Sequence, residues 1–389
     1  MHPLRLAWST DRTRRWWRLP SCGLKSGVEF DERTSNIDPA IASRGDVVKR
    51  VTVHDVAAEA GVSLATVDRV LNGRSGVTTA TAARVKDAVE RLNYRRDLFA
   101  ASLATGREYR FQFVVPSGNA NTFMGNLGRA VEEEAERLAE QRILVSVDHY
   151  VAFDEVSLAE RLAAIDTERV RGVAVVAVDT PRVKEAVDAL VLAGVKVVTI
   201  VSDVIPSLRS HTIAINNICA GRVAGTLIGR FLGGREGEVA LVSGSMALRD
   251  HVERRIGFEQ VLLRDFPHLQ ILSPSEGRDD SGVTRPLMRR MLHDHPRLIG
   301  LYSIGAGNRG IIDAMEESGR ARDIVAVAHE LTIHSRQALI SGSFDAVIHQ
   351  NVTAEVAAAV RVLKALCDGQ ADVVQPGIPI DIFFRDNLP

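Results

Sequence analysis

The sequence predicts an all-α helix-turn-helix headpiece followed by a two-lobed α/β core made of two Rossmann-like parallel-sheet subdomains. Three observations predict it. Residues 51–72 read VTVHDVAAEAGVSLATVDRVLN, two short amphipathic stretches either side of a glycine. From about residue 110, uninterrupted Val/Ile runs alternate with helical stretches, as in strands covered on both faces of a parallel sheet. That alternation then runs a second time, giving two halves.

In the headpiece, Val53, Val56, Ala57 and Ala60 form one stripe of a first helix. Gly61 allows the sharp turn because glycine tolerates positive φ. Val62 plugs a small core, and Ser63 is placed to cap a second helix over about 64–71. Val67, Val70 and Leu71 point inward, while Leu64, Ala65, Asp68 and Arg69 share the opposite face. Such a face is the usual means of reaching base edges in a major groove; the alternative is an αα-hairpin within a larger helical core. A third helix, 78–94, opens on Thr78 and repeats apolar residues at Ala82, Val85, Ala88, Val89 and Leu92.

In the first half of the core, strands are expected at 111–116, 143–150, 172–178 and 195–202, with helices at 126–141, about 155–165 and 181–194. The second half is expected to carry strands at 211–216, 238–244, 269–272, 298–305, 323–329 and 345–350. Its helices are expected to run to about 232 and about 264, then over 282–293, 308–318 and 332–340. A last helix, 352–368, crosses back to the first half, and the tail 378–385 returns to the second.

The string D-V-A-x-x-A-G-V-S-x-x-T-V-x-R-V-L-N, from Asp55 to Asn72, resembles the DNA-binding headpiece of the LacI/GalR family of transcriptional regulators. The likeness continues through Leu92-Asn93-Tyr94 into DLFAASLATGR (97–107), which is similar to the family's hinge helix, ordered only on operator DNA. Leu103 matches the leucine that wedges into the minor groove and kinks the duplex; the alternative is a plain linker. The resemblance implies DNA contacts from Thr52, His54, Ser63, Leu64, Ala65, Thr66, Asp68, Arg69, Asn72, Thr78, Arg95, Arg96 and Leu103.

Departures limit what it implies. Arg95-Arg96-Asp97 stands where the family commonly has Pro-Asn, removing a rigid step into the hinge and adding phosphate-binding charge. Asp68 replaces a small polar residue; it either accepts from a cytosine N4 amine or orients Arg69. Leu64 and Ala65 can touch thymine methyls but form no bidentate base bonds, so they name no operator sequence.

The two α/β halves resemble the periplasmic-binding-protein fold of the family's effector core. The expected organisation is an extension or misassigned start at 1–50, with the native start near Val47 or Val48, then a headpiece at 51–94 and a linker with hinge at 95–107. The core is 108–389, its first lobe about 108–207 plus 352–370 and its second about 208–351 plus 371–389.

Ligands in open α/β sheets sit beyond the carboxyl ends of the strands. Those ends offer Ser117, Asn119, Phe123, Asp148, Asp203, Asn216, Asn308, Glu330 and Gln350, with His149, Asp179, Ser202, His329 and His349 beside them. Carboxylates and amides pair with hydroxyls, and Phe123 can pack on a sugar ring, which suits a sugar or polyol. Arg254, three residues before Gly257-Phe258, matches the family arginine that grips effector hydroxyls or carboxylates. Glu330 matches an acidic position that accepts from a hydroxyl. Their alternatives are a surface salt bridge and a helix-start carboxylate.

Gly305, Gly307 and Gly310 give a GxGxxG spacing between strand and helix. It reads as a helix N-terminus facing an anionic or hydroxyl group, or as a dinucleotide site that would make the chain a nucleotide-binding oxidoreductase. Nucleophile-elbow, zincin, Walker and CxxC motifs are absent, so catalysis is not expected. Cys22, Cys219 and Cys367 lie far apart with no metal spacing, which fits unpaired thiols in a reducing cytoplasm and no metal or cofactor. No run approaches the roughly 18 apolar residues of a membrane span.

The net charge of −1 gives no overall nucleic-acid signature, and 51–107 is only weakly basic, so two headpieces are needed to multiply phosphate contacts. A stand-alone sugar-binding protein would lack the headpiece. The expected function is a cytoplasmic, homodimeric repressor on a pseudopalindromic operator, nucleoid-associated when bound to DNA and controlled by a small metabolite. Leu103→Ala is expected to weaken operator binding and reduce DNA bending while leaving ligand affinity intact, as read by gel-shift bending assays; unchanged bending removes the hinge.

Overall fold

The computed structural model describes residues 52–71, 76–92, 108–118, 121–370, 372–374 and 377–389. The chain divides into two compact units between Arg96 and Asp97. Asn72, Arg95, Arg96, Leu103, Asn119, the expected hinge at 97–107 and the segment 1–50 all lie outside the described residues.

The headpiece holds three helices: α1 (Val53–Ala60), α2 (Leu64–Leu71) and α3 (Thr79–Arg91). Thr52 begins α1 through a capping box. Its hydroxyl accepts from the Asp55 amide, and the Asp55 carboxylate accepts from the Thr52 amide at 2.7 Å. Gly61 ends α1 in the left-handed region at φ +60°. Val56, Ala57, Ala60, Val67, Val85 and Ala88 form the core, with Val53, Val62, Val70, Leu71, Val89 and Leu92 packed around it.

In the core, β1 (Tyr109–Pro116), α4 (Thr122–Ala139), β2 (Ile143–Tyr150), α5 (Glu155–Ala163), β3 (Gly172–Val175), α6 (Pro181–Leu192), β4 (Lys196–Ile200) and β5 (His211–Ile213) come first. They make an all-parallel sheet of order β2-β1-β3-β4-β5. The strand at 211 was expected to open the second lobe. It pairs with β4 instead, so the first lobe runs further along the chain than the sequence suggested.

The second lobe carries α7 (Asn217–Leu232), β6 (Gly237–Ser243), α8 (Arg249–Asp265), β7 (Leu269–Ile271), β8 (Ser275–Glu276), α9 (Ser281–Asp294), β9 (Leu298–Ser303), α10 (Asn308–Glu317), β10 (Val325–His329), α11 (Ile333–Ser341) and β11 (Ala346–His349). Its sheet runs β12-β11-β10-β9-β6-β7, with β8 also on β6. The crossover helix α12 (Val352–Cys367) packs back on the first sheet, and β12 (Asp381–Phe383) joins β11 antiparallel. The short β8 had no counterpart among the expected strands; two residues are too few to carry a periodic signal.

Two close approaches set the geometry near the strand ends. A Cβ on Gly221 of α7 would lie 1.9 Å from the Arg254 carbonyl oxygen, and one on Gly257 of α8 would lie 2.0 Å from the Ile218 carbonyl oxygen. The helices therefore touch backbone to backbone. Gly257→Ala is expected to push α8 off α7 and destabilise the core by about 1–3 kcal/mol, as overpacking does. Urea unfolding checks this, and a midpoint unchanged from the parent refutes it.

Candidate functional site

On the headpiece, Ser63 caps α2 by accepting from the Thr66 amide at 3.2 Å, and the two hydroxyls lie 2.9 Å apart. Val67 is fully buried beneath that helix, leaving Leu64, Ala65, Asp68 and Arg69 exposed together on its outer face. Leu64 is 40% exposed, an apolar side chain held in solvent at the start of the helix. His54 is exposed beside the capped start of α1, and Thr78, also exposed, caps α3 by accepting from the Thr81 amide. Thr52, Ser63 and Thr78 thus spend their hydroxyls on helix starts: that of Thr52 also donates to the Asp55 carboxylate at 2.7 Å, and those of Ser63 and Thr78 bond the Thr66 and Thr81 hydroxyls.

In the core, the carboxyl ends of the two sheets face each other across a cleft that is closed over its middle. Asn121 caps α4 through its Oδ1, accepting from Phe123 and Met124, and its Nδ2 donates 2.8 Å across the cleft to Asp279 Oδ2. The Asp279 Oδ1 in turn accepts from the Ala306 amide at 2.8 Å. Further out, the Asp179 amide donates to the Ala247 carbonyl at 3.0 Å, and the Arg278 guanidinium lies over the Phe153 ring at 5.9 Å.

Behind this closure Ser202, Asp250, His251, Arg254, Glu330 and Gln350 meet Phe123, Met124, Val176 and Leu248 around a largely apolar-walled cavity of about 30 Å³, room for one or two waters. A wider cavity of about 390 Å³ opens beside it, sharing Phe123, Ala306 and Glu330 and adding Thr122, Ser281, Asn308, Arg309 and His334. Two of the strand-end residues take left-handed backbone: Val201 at φ +67° and Glu330 at φ +70°. For a β-branched valine this costs on the order of 1–3 kcal/mol, and such strain gathers at binding sites.

Arg254, 2% exposed, is fixed by two neutral acceptors. Its Nε donates to Asn217 Oδ1 at 2.8 Å and its Nη1 to the Ile304 carbonyl at 2.9 Å. Its Nη2 finds no hydrogen-bond partner among the described residues and stands 3.8 Å from Asp250 Oδ2. Ser202 Oγ, Asp250 Oδ1, Gln350 Oε1, His329 Nδ1 and both carboxylate oxygens of Glu355 are likewise buried without a partner there. Buried polar groups are nearly always paired, so this concentration around one cleft marks a place built to receive polar atoms from a ligand.

Electrostatics follow from burial. Burial drives the Glu355 carboxyl well above its usual range, the Glu330 carboxylate adds to this, and Arg254 opposes it. Burial likewise holds the His329 imidazole well below its ordinary value, with Arg254 acting in the same direction, so the ring is neutral and bonds Tyr302 at 2.8 Å.

Of the sequence-predicted residues, the structure brings Phe123, Arg254, Glu330 and Gln350 together at the cleft. Glu330 accepts from Gln350 Nε2 at 2.8 Å and lies 3.1 Å from His349 Nδ1. Ser117 lies close by, in a separate cavity of about 40 Å³ with Tyr150 and Phe153.

Four others have their side chains engaged within the protein, although Asp203 and Asn216 line a further cavity beside Asp250. Asp148 sits on the edge strand β2, where its carboxylate accepts from the His149 amide and lies 3.7 Å from Arg161. Asp203 is enclosed by Arg209 and the Thr199 hydroxyl; burial alone would raise its carboxyl, but these partners hold it low. Asn216 is exposed and caps α7, while its neighbour Asn217 turns inward to Arg254. Asn308 lines the wider cavity, but its amide is spent on the Ser303 hydroxyl at 2.7 Å and the His329 carbonyl at 3.0 Å.

The glycine fingerprint is also accounted for internally. A Cβ at Gly305 would lie 2.7 Å from Asp279 Oδ1, and one at Gly310 would lie 2.3 Å from the Ser281 carbonyl. The Gly307 carbonyl accepts from Thr284 at 2.7 Å. These glycines let the loop pack on α9 and on Asp279, which replaces the pyrophosphate-cradle reading with a packing one.

Sequence reasoning missed Asn121, Asn217, Asp250, Asp279 and Glu355. Asp250 and Glu355 lie inside helices one turn from Arg254 and from the start of α12, where a carboxylate on an amphipathic helix looks like surface charge.

The profile of the periplasmic binding protein domain matches residues 111–371. That of the bacterial regulatory proteins of the lacI family matches residues 52–97. The chain belongs to the periplasmic-binding-protein family and carries a lacI-family headpiece. Catabolite control protein A of Staphylococcus epidermidis is 36% identical over 99 residues, 25% of this chain and 30% of the relative. The HTH-type transcriptional regulator DegA of Bacillus subtilis is 33% identical over 100 residues, 26% and 29% respectively. The alignments thus span less than a third of these curated relatives.

Among solved structures, the glucose-galactose binding protein GanP of Geobacillus stearothermophilus matches with a TM-score of 0.67 at 18% identity, over 73% of this chain and 99% of that one. A solute binding protein of Burkholderia graminis in complex with D-arabinose gives 0.65 at 19% identity, over 72% and 96%. At such identities the likeness is one of fold. Among the described residues no helix of this chain is long and apolar enough to cross a membrane.

The raised Glu355 carboxyl has a thermodynamic consequence. The folded state holds this proton more tightly than the unfolded chain, so above the ordinary value of 4.5 stability is lost as pH rises towards the folded-state value. Glu355→Gln removes that loss. It is expected to raise the melting temperature at about pH 7–8 by roughly 2–4 °C per kcal/mol recovered, the gain fading below about pH 4. Calorimetric melts across pH check it; a variant that melts lower than the parent at neutral pH refutes it.

Proposed function

We propose that this chain is a cytoplasmic, homodimeric, sequence-specific repressor whose affinity for operator DNA is set by a small polar metabolite bound between the two lobes of its core. One observation carries the reading. A lacI-family headpiece with an exposed reading face on α2 stands in the same chain as a two-lobed cleft whose buried polar atoms lack partners. A lone helix-turn-helix with a modest basic balance gains affinity and register by pairing two half-sites, which is why the dimer and a pseudopalindromic operator belong to the proposal. The small-molecule end is supported by the relation of the core to sugar-binding proteins and by the cleft chemistry: acceptors, one guanidinium and Phe123 for an apolar ring face. A ligand with different affinity for open and closed lobes shifts the population between them, and that differential is what reaches the DNA.

Selection of duplexes from a randomised library by the full chain is expected to enrich an inverted repeat; enrichment of no sequence refutes specific binding. Arg254→Ala is expected to weaken the effector by about 10–100-fold, the worth of a charged hydrogen bond in a buried site. Operator binding without effector should be unchanged within about twofold, well under the 1.4 kcal/mol of a tenfold effect. Fluorescence anisotropy with labelled operator, with and without ligand, measures both; a full ligand response in the variant removes Arg254 from the site.

A further inference from the structure

The unpartnered atoms of the cleft are unequal in kind. Asp250 Oδ1 and Gln350 Oε1 only accept, whereas Arg254 Nη2 only donates. Ser202 Oγ does either.

Charge is unequal in the same direction. Among the described residues the carboxylates of Asp250 and Glu330 are buried beside the guanidinium of Arg254, while burial raises the carboxyls of Asp279 and Glu355 and so lessens their charge. That guanidinium is hydrogen-bonded to neutral oxygens, and Asp279 and Glu330 take their bonds from amides and an imidazole. The nearest imidazole to Asp250, that of His251, stands 3.7 Å away. Asp250, Gln350 and Arg254 line the small cavity directly. Glu355 stands behind it on α12, close enough that Glu330, Arg254 and Asp250 all act on its carboxyl.

We infer that the effector presents a protonated primary amine to this cleft, so that its class is an amino sugar or amino polyol rather than a neutral sugar. The inference rests on the cleft being the effector site. An ammonium supplies three donors from one atom and a full positive charge. It would serve the Asp250 and Gln350 oxygens that line the cavity and offset the charge of Asp250, which Arg254 and His251 approach no nearer than 3.7 Å. A hydroxyl donates one hydrogen and brings no charge, so a neutral sugar leaves the acid excess in place.

The test titrates the full chain by isothermal calorimetry with D-glucosamine, D-galactosamine and glucamine, each against its neutral counterpart D-glucose, D-galactose or sorbitol. At least one amine is expected to bind more than about tenfold tighter than its counterpart. Asp250→Asn, which removes a charge at the cavity wall and keeps the shape, should erase most of that preference; Glu330→Gln is the second variant. Neutral members binding in preference to amines, no amine binding, or an amine preference that survives both variants each overturns the inference. Operator affinity read alongside separates the two readings. Amine binding without any change on DNA defeats the regulator proposal alone, and a neutral sugar that shifts operator affinity defeats the amine alone.

Discussion

Arg254 can occupy the cleft only because α7 and α8 touch at the level of their backbones. Gly221 and Gly257 face the carbonyls of Arg254 and Ile218 with no room for a methyl group, and that approach delivers Asn217 to the guanidinium. The arginine then has one edge fixed by Asn217 and another by the Ile304 carbonyl at the end of β9. Its remaining nitrogen is aimed at a cavity shared with Ser202 from the opposite lobe. A buried charge held on two sides and free on the third is costly unless something completes it, and most of the surrounding site consists of groups placed in relation to it.

Closure of the lobes uses the same economy of side chains. Asn121 starts α4 with one end of its amide and spans the cleft with the other, so the helix start and the inter-lobe contact are set by a single rotamer. The receiving Asp279 is itself pinned by the Ala306 amide, and Gly305 beside it has no side chain to intervene. Opening the cleft therefore breaks this hydrogen bond together with the Asp179–Ala247 bond and the Arg278 contact on Phe153, and withdraws Leu248 from the first lobe's apolar cluster. Each polar contact contributes a few kcal/mol at most, which suits a joint that has to part and close.

The headpiece was legible in the sequence nearly residue by residue, because its core is small and its helices are short, capped and amphipathic. Gly61, Ser63 and Thr78 each carry a local rule that tertiary packing does not override, whereas the capping box at Thr52 was not read. The strands and helices of the core were legible for the same reason, with boundaries moved by a few residues. The ownership of β5 was not, since a three-residue strand at the junction of two lobes carries no mark of which sheet it extends.

The cleft was legible only in part. Strand-end position selected Phe123, Glu330 and Gln350, and it equally selected Asp148, which sits on the edge strand β2, and Asp203, which follows the interior strand β4 and is held by Arg209 and Thr199. Which end faces the cleft is decided by strand order, a long-range property. Asp250 and Glu355 were invisible for the complementary reason: they reach the cleft from helices, where periodicity marks a carboxylate as solvent-facing.

The unpartnered atoms also explain how binding could move the lobes. Closing the cleft around Arg254, Asp250, Gln350, Ser202 and Glu355 removes their polar atoms from water, and each left unmatched costs about 1–3 kcal/mol, more where charged. With nothing to match them, the closed arrangement is disfavoured by several kcal/mol relative to an open one in which water serves the same atoms. A ligand that satisfies three of them changes the balance by an amount comparable with the roughly 5.5 kcal/mol needed to carry a two-state equilibrium from 1:99 to 99:1. The strained Val201 and Glu330 backbones, both at the strand ends that meet across the cleft, add to what the closed form must be compensated for. Sensitivity to ligand therefore comes from leaving the cleft incomplete: a fully satisfied polar network at the same place would hold the lobes shut whether or not the effector were bound.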